Sequence, residues 1–275
     1  MFPHPLCLII PVLLTNFVSA LDFHDELSFQ LDLIKHQPCV HSQKSKWHKK
    51  IEFEAGNANG GPKLETVQGK DNCFKIGGKV QIHEDITGEL SIFVEIRNSP
   101  NKKQVPEMCQ KQPETGCGGI GSCLYCNVCK NFDELAVEAQ LLLDGKPVKC
   151  TDGLKKGIYE NIHLQFCLPK MEEILKSQGL SKETFLQLIQ GENENSLRAT
   201  GVFATVYLFD SDVSKQMSTQ ARVVSVYRKT KKSLFKNEQL PAEVYWSLPF
   251  NQMIATQQPY IACHKIYANL KVLKQ

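Results

Sequence analysis

Apolar and polar residues alternate over several short stretches of the chain, and the alternation predicts strands. Val80 and Ile82 flank Gln81, while Leu90, Ile92, Val94 and Ile96 alternate with Ser91, Phe93, Glu95 and Arg97. A period of two places every second side chain on one face, so each stretch reads as a strand with one buried face. Asp85-Ile86-Thr87-Gly88 and Asn98-Ser99-Pro100-Asn101 supply the turn residues between and after them. Leu135 to Leu143 reads as a strand stopped by the turn at Asp144-Gly145-Lys146-Pro147. Residues 158–168 form another, ending before Pro169. Val202 to Phe209 and Val223 to Tyr227 are rich in β-branched and aromatic residues and read as strands. Tyr260 to Val272 is a long strand candidate. Residues 21–55 are mixed in character, and 56–72 are rich in turn formers and read as a loop. Residues 170–190 look helical, with Ile174 and Leu175 on one turn and Ser181 capping a helix that carries Phe185, Leu188 and Ile189. Many short strands and one short helical insertion near 170–190 predict an all-β fold, a sandwich or barrel-like sheet.

The N-terminus sets the compartment. Residues 6–14 are apolar, small residues follow at Val18-Ser19-Ala20, and charge begins at Asp22. This is the pattern of a secretory signal peptide over residues 1–20, and no later run is long and apolar enough for a transmembrane helix. Cleavage after Ala20 removes Cys7 and leaves ten of the eleven cysteines. An even number of cysteines in an oxidising compartment implies disulfides, with the pairing open. The expected location is extracellular or the lysosomal lumen.

Composition narrows the function by exclusion. The formal net charge is only +3 on 275 residues, which argues against a nucleic-acid binder. The basic run holding Arg222, Arg228, Lys229, Lys231, Lys232 and Lys236 reads as a solvated face or loop, with attraction to anionic lipid or an acidic partner as the other reading. Cys123-Leu-Tyr-Cys126-Asn-Val-Cys129 has overlapping C-x-x-C spacings, but no second ligand pair follows, so disulfides are favoured over a metal. His83-Glu84-Asp85 reads as the polar end of a strand. The glycine-rich Gly116–Cys123 segment reads as tight backbone between disulfides. No nucleophile, base and orienting group assemble in any recognised motif. The expectation is a protein that is not an enzyme and uses no cofactor or metal.

The cysteine cluster carries a resemblance. Gly78–Arg97 leads into Val105-Pro106-Glu107-Met108-Cys109, then Gly121-Ser122-Cys123-Leu124-Tyr125 and Cys129-Lys130-Asn131-Phe132-Asp133. Cys150 is followed by Leu154-Lys155-Lys156-Gly157-Ile158-Tyr159, and the chain closes on Ala262-Cys263-His264-Lys265-Ile266-Tyr267-Ala268-Asn269-Leu270-Lys271. In this order the segments resemble the ganglioside activator (sphingolipid activator) proteins of the ML-type lipid-recognition superfamily, over about half of the mature chain.

That resemblance implies one domain over 21–275, an immunoglobulin-like β-sandwich opened into a cup with an apolar cavity and stapled by disulfides. It implies Cys39 paired with Cys263, Cys109 with Cys123 and Cys129 with Cys150, leaving Cys73, Cys117, Cys126 and Cys167 unassigned. The chain exceeds the family core near 56–72, 170–198 and 211–257. The family's apolar membrane-dipping loop aligns with Asn98–Gln104, which is polar and basic here and suits transient contact with a membrane surface more than insertion. The expected function is binding and transfer of a glycolipid or phospholipid, with a lipid hydrolase as the partner that receives it. Val80, Ile82, Leu90, Ile92, Val94 and Ile96 are the expected cavity lining. The alternative is a secreted, disulfide-rich interaction module without a lipid cavity.

Overall fold

In the computed structural model, two antiparallel sheets face each other and helices cover the outer side of one of them. The structure describes residues 27–41, 47–57, 59–70, 72–86, 89–101, 103–128, 139–147, 153–167, 200–231 and 239–274. The segment expected to be a signal peptide, the helical segment expected over 170–190, the rest of the insertion expected over 170–198, and Cys129 and Cys150 lie outside the described residues.

The strands are β1 (Leu27–Pro38), β2 (Ile51–Phe53), β3 (Gly56–Asn57), β4 (Leu64–Thr66), β5 (Cys73–Ile82), β6 (Ser91–Arg97), β7 (Leu124–Tyr125), β8 (Ala139–Leu143), β9 (Lys146–Pro147), β10 (Gly157–Cys167), β11 (Thr200–Phe209) and β12 (Ala262–Lys274). The helices α1 (Ser214–Thr230), α2 (Ala242–Ser247) and α3 (Pro249–Thr256) lie between β11 and β12. One sheet runs β3-β1-β12-β11-β6-β7. The other runs β2-β5-β10-β8-β9, with β4 also paired to β5. Strand β1, in the segment read as mixed, carries the alternation Leu27, Phe29, Leu31, Leu33 and pairs along β12, Leu31 opposite Leu270 and Leu33 opposite Ala268.

The segment 56–72, expected to be a loop, contributes β3 and β4 and ties the two sheets together. The chain leaves β2 beside β5, pairs as β3 with Lys35 and His36 of β1, and returns as β4 beside Ile76 of β5. Gly56 permits this crossing: a Cβ there would lie 2.4 Å from the Pro62 carbonyl oxygen and 2.5 Å from His36 Nε2.

The helical layer makes β6 a strand with two covered faces. Ile92 and Val94 point between the sheets and pack on its core, while Phe93 points outward and meets Phe250 of α3 in an edge-to-face contact of 5.0 Å. The sequence reading gave β6 one buried face, because the cover for the other comes from residues more than a hundred positions later. Glu95 also points outward and is buried. Its Oε1 lies 2.6 Å from Arg97 Nη2. Burial pushes the Glu95 carboxyl up, against the lowering effect of Arg97, and Arg97 lies over the Trp246 ring of α2.

The strand expected at Val223–Tyr227 is part of α1. Its β-branched residues favour a strand locally, but Met217, Gln220 and Val224 recur at helical spacing and are the buried positions. Tertiary packing overrides local propensity here. Arg222, Arg228 and Lys229 of the basic run therefore lie on a helix, and Lys231 caps it; Lys232 and Lys236 lie outside the described residues. Pro249 separates α2 from α3 by holding the preceding Leu248 extended.

Candidate functional site

The six residues expected to line a cavity divide along the sandwich. Val80, Ile82 and Leu90 belong to a packed cluster with Ile51, Ile86, Tyr125 and Ile162 from both sheets, and Ile92 and Val94 pack against it. This cluster closes one end of the inter-sheet space. Ile96 lies farther along β6 and is half-buried.

Beyond Ile96 the inward face remains apolar; Ala268 of β12 and Phe74 of β5 are buried there, and the residues around them are half-buried. Ile96 is opposite Ala204 of β11, which is opposite Ile266 of β12. On the same face follow Val202, Leu270, Leu31 and Leu33, all half-buried. Across from them, Ile76 of β5 pairs with Leu164 of β10, and both are half-buried. The exposed 98–101 and 103–104 turn leaves β6 at this end. It is held by Lys103 N–H donating to Asn101 Oδ1 and by Gln104 Nε2 donating to Asn98 Oδ1.

Two histidines sit between the packed cluster and the half-buried row. His36 of β1 and His264 of β12 are both buried, with His36 Nδ1 2.7 Å from His264 Nε2. The His264 ring meets Phe53 of the opposite sheet edge-on, which fixes its inward direction. Burial, and then the neighbouring His36, push the His264 imidazole down to about 4. Partners 228 positions apart leave no local signal.

The described cysteines are all in disulfides. Cys39 is bonded to Cys263 and Cys109 to Cys123, the two described pairs that the resemblance implies. Cys73 is bonded to Cys167 and Cys117 to Cys126. The C-x-x-C residues Cys123 and Cys126 thus belong to different bridges. The glycine-rich segment between them adopts positive φ at Gly116, Gly118, Gly119 and Gly121, the tight backbone expected of it. His83 lies 3.5 Å from Glu52, Glu84 pairs with His48 at 2.7 Å, and Asp85 pairs with Lys155 at 3.2 Å, so this tripeptide is divided among separate surface pairs. Among the described residues, no group of three or more His, Cys, Asp or Glu is placed to hold a metal ion.

A further cavity, of about 540 Å³, lies outside the sandwich between α1 and the 107–112 segment. It could not be found from a sequence reading that took Val223–Tyr227 as a strand.

No family model matches the chain, and no curated protein matches it significantly in sequence. The fold is an all-β sandwich carrying helical additions and four described disulfides. No described helix is long and apolar enough to cross a membrane.

Proposed function

We propose that this chain is a secreted or lysosomal lipid-binding and transfer protein that holds acyl chains of a glycolipid or phospholipid between its sheets and presents the lipid to a hydrolase. The supporting observation is the row of half-buried apolar residues at one end of the inter-sheet space, from Ile96 through Ile266 to Leu31 and Leu33. In a closed sandwich the opposite sheet covers such positions. Left half-exposed, they offer an acyl chain an apolar wall, and each methylene moved onto it from water contributes about 0.8 kcal/mol.

Other features fit the reading. Disulfides hold a sandwich whose interior is incompletely packed, and they suit an oxidising compartment. The exposed turn beside the half-buried row carries Lys103 and suits contact with anionic headgroups. Acyl-chain binding requires no catalytic group. The resemblance in cysteine order and strand motifs points the same way.

Native mass spectrometry of the oxidised recombinant protein tests the reading, together with a vesicle-to-vesicle transfer assay. Bound lipid and accelerated transfer are expected. Protein that carries no lipid and transfers none overturns it. The packed cluster around Val80 and Ile82 favours a second reading, a disulfide-stapled interaction module with a filled core. A fluorescent apolar probe separates the two, because only an open cup binds it in the native state.

A further inference from the structure

Helix α1 turns a face of two parallel rows to solvent. Lys215, Arg222 and Lys229 are exposed and recur every seven residues, so they stand in one line along the helix, about 21 Å long. Beside them Thr219, Val223, Val226 and Thr230 recur at spacings of four, three and four residues and form a second line. Val223 is 42 % exposed and Val226 60 %, the most exposed apolar side chains of the helix. Thr219 Oγ1 donates to Lys215 O and Thr230 Oγ1 to Tyr227 O, both at 2.8 Å, so the helix itself satisfies the two hydroxyls of this row. Met217, Gln220 and Val224 are buried on the opposite face. No residue of α1 is acidic. The helix also stands at the end of the sandwich where the half-buried row lies. Its Val224 and Tyr227 pack with Val105, which follows the exposed turn leaving β6. Arg97, just before that turn, lies over Trp246 of α2, a further exposed large apolar side chain.

We propose that the outer face of α1 docks this protein on an anionic lipid bilayer. Val223 and Val226 enter the boundary between headgroups and acyl chains, and Lys215, Arg222 and Lys229 meet the lipid phosphates and carboxylates beside it. The two rows together select a bilayer. A soluble acidic partner uses the cations and leaves the apolar row wet; an uncharged apolar partner covers that row and brings three cations to its edge without a counter-charge. A bilayer serves both at once, because Lys and Arg stems reach up to the headgroups while the valines sit deeper. In this pose the turn that leaves β6 and the half-buried row beside it lie near the lipid surface. To that extent the inference rests on the lipid-transfer reading, whereas binding to the bilayer stands without it.

The test is co-flotation of the oxidised full-length mature chain with vesicles of phosphatidylcholine alone and of phosphatidylcholine with about a third phosphatidylserine, at low and high salt. Each cation near the surface is worth about fivefold in affinity, so binding to the anionic vesicles should be about a hundredfold tighter than to the neutral ones and should fade at high salt. The double variant R222Q/K229Q should weaken it about twentyfold. V223S/V226S, which keeps every charge, should weaken it about tenfold. V223L/V226L should tighten it, a gain that a misfolded protein does not give. All four positions are exposed, so the circular dichroism spectra should match that of the parent. The proposal is overturned by equal binding to the two vesicle types or by parental binding of R222Q/K229Q. Parental binding of V223S/V226S also overturns it and assigns the cations to a soluble acidic partner. Native mass spectrometry of the same preparations keeps the two readings apart. A chain that carries lipid and does not float overturns the docking and spares the transfer reading; a chain that floats and neither carries nor transfers lipid does the reverse.

Discussion

His36 Nδ1 and His264 Nε2 lie 2.7 Å apart between the sheets, and a third atom fixes which ring donates. His36 Nε2 is 3.0 Å from the Pro62 carbonyl oxygen, which only accepts, so Nε2 carries the His36 proton. Nδ1 of neutral His36 therefore accepts from His264 Nε2–H. That leaves Nδ1 of His264 as a bare lone pair, buried and with no hydrogen-bond partner. Protonation of His264 must occur there, facing no acceptor and beside a second imidazole.

Stability should consequently fall with acidity. The folded-state value of His264 is about 4, against 6.5 for a free histidine. The unfolded chain thus binds the proton more readily across that window. The contribution is fully present above about pH 6.5 and is lost as pH falls toward about 4, by about 3 kcal/mol in all. Gln in place of His264 keeps a donor toward His36 and does not titrate. Thermal unfolding from neutral to acid pH should show a shallower decline for His264→Gln; an unchanged slope would place the acid sensitivity elsewhere.

The disulfides should differ in what they contribute. Cys39–Cys263 joins the end of β1 to the start of β12 across 224 residues, and Cys117–Cys126 spans 9. In the chain-entropy view, the long bridge is worth about 5 kcal/mol and the short one about 3. Paired Cys→Ala variants compared by urea unfolding should rank in that order. The main-chain bond from Cys39 N–H to Cys263 O, at 2.9 Å, remains in either variant and keeps the register.

What the sequence made legible was the set of local periods. The alternation over Leu90–Arg97 marked β6, and the β-branched and aromatic run Val202–Phe209 marked β11, because each signal is contained within its own strand. Which face of β6 is more deeply covered was not legible, since Phe93 is covered by Phe250. Val223–Tyr227 misled because four β-branched or aromatic residues outweigh, in a short window, a helical face that needs Met217 and Gln220 to be seen. The bridge from Cys73 to Cys167 follows from strand register: the two residues are directly opposite in the β5–β10 ladder. Register is a property of the paired sheets and leaves no mark on either segment alone.

Two glycines with the same backbone angle should respond differently to alanine. Gly116 has φ +80° and Gly118 has φ +83°, so either substitution meets the left-handed penalty of about 1 kcal/mol. At Gly118 nothing lies within 4 Å of the added Cβ, whereas at Gly116 it would strike the α1 backbone at Ser218 N, 2.6 Å away. Gly116→Ala should therefore destabilise by about 2 kcal/mol or more and loosen α1, while Gly118→Ala costs about 1. Chemical denaturation measures the first effect, and hydrogen exchange along α1 measures the second. Equal losses would mean that the loop yields and that its contact with the helix is soft.

The packed cluster and the half-buried row should separate under mutation. Ile82 is 2 % exposed in the packed cluster, and Ile82→Ala should cost about 3 kcal/mol through lost transfer energy and the void left behind. Ile96 is half-buried on the same interior, and Ile96→Ala should cost about 1 kcal/mol. A charge distinguishes the readings further. If the half-buried row accepts acyl chains, Ile96→Asp leaves a folded protein, because its carboxylate reaches water, yet lipid transfer falls by an order of magnitude or more as the wall becomes polar. If the interior is a filled core, the same carboxylate is trapped without a partner, and the protein unfolds in place of losing one activity. Unfolding midpoints and transfer rates measured on the same Ile82→Ala, Ile96→Ala and Ile96→Asp preparations decide the matter: a folded Ile96→Asp protein with undiminished transfer would remove this end of the sandwich from the lipid path.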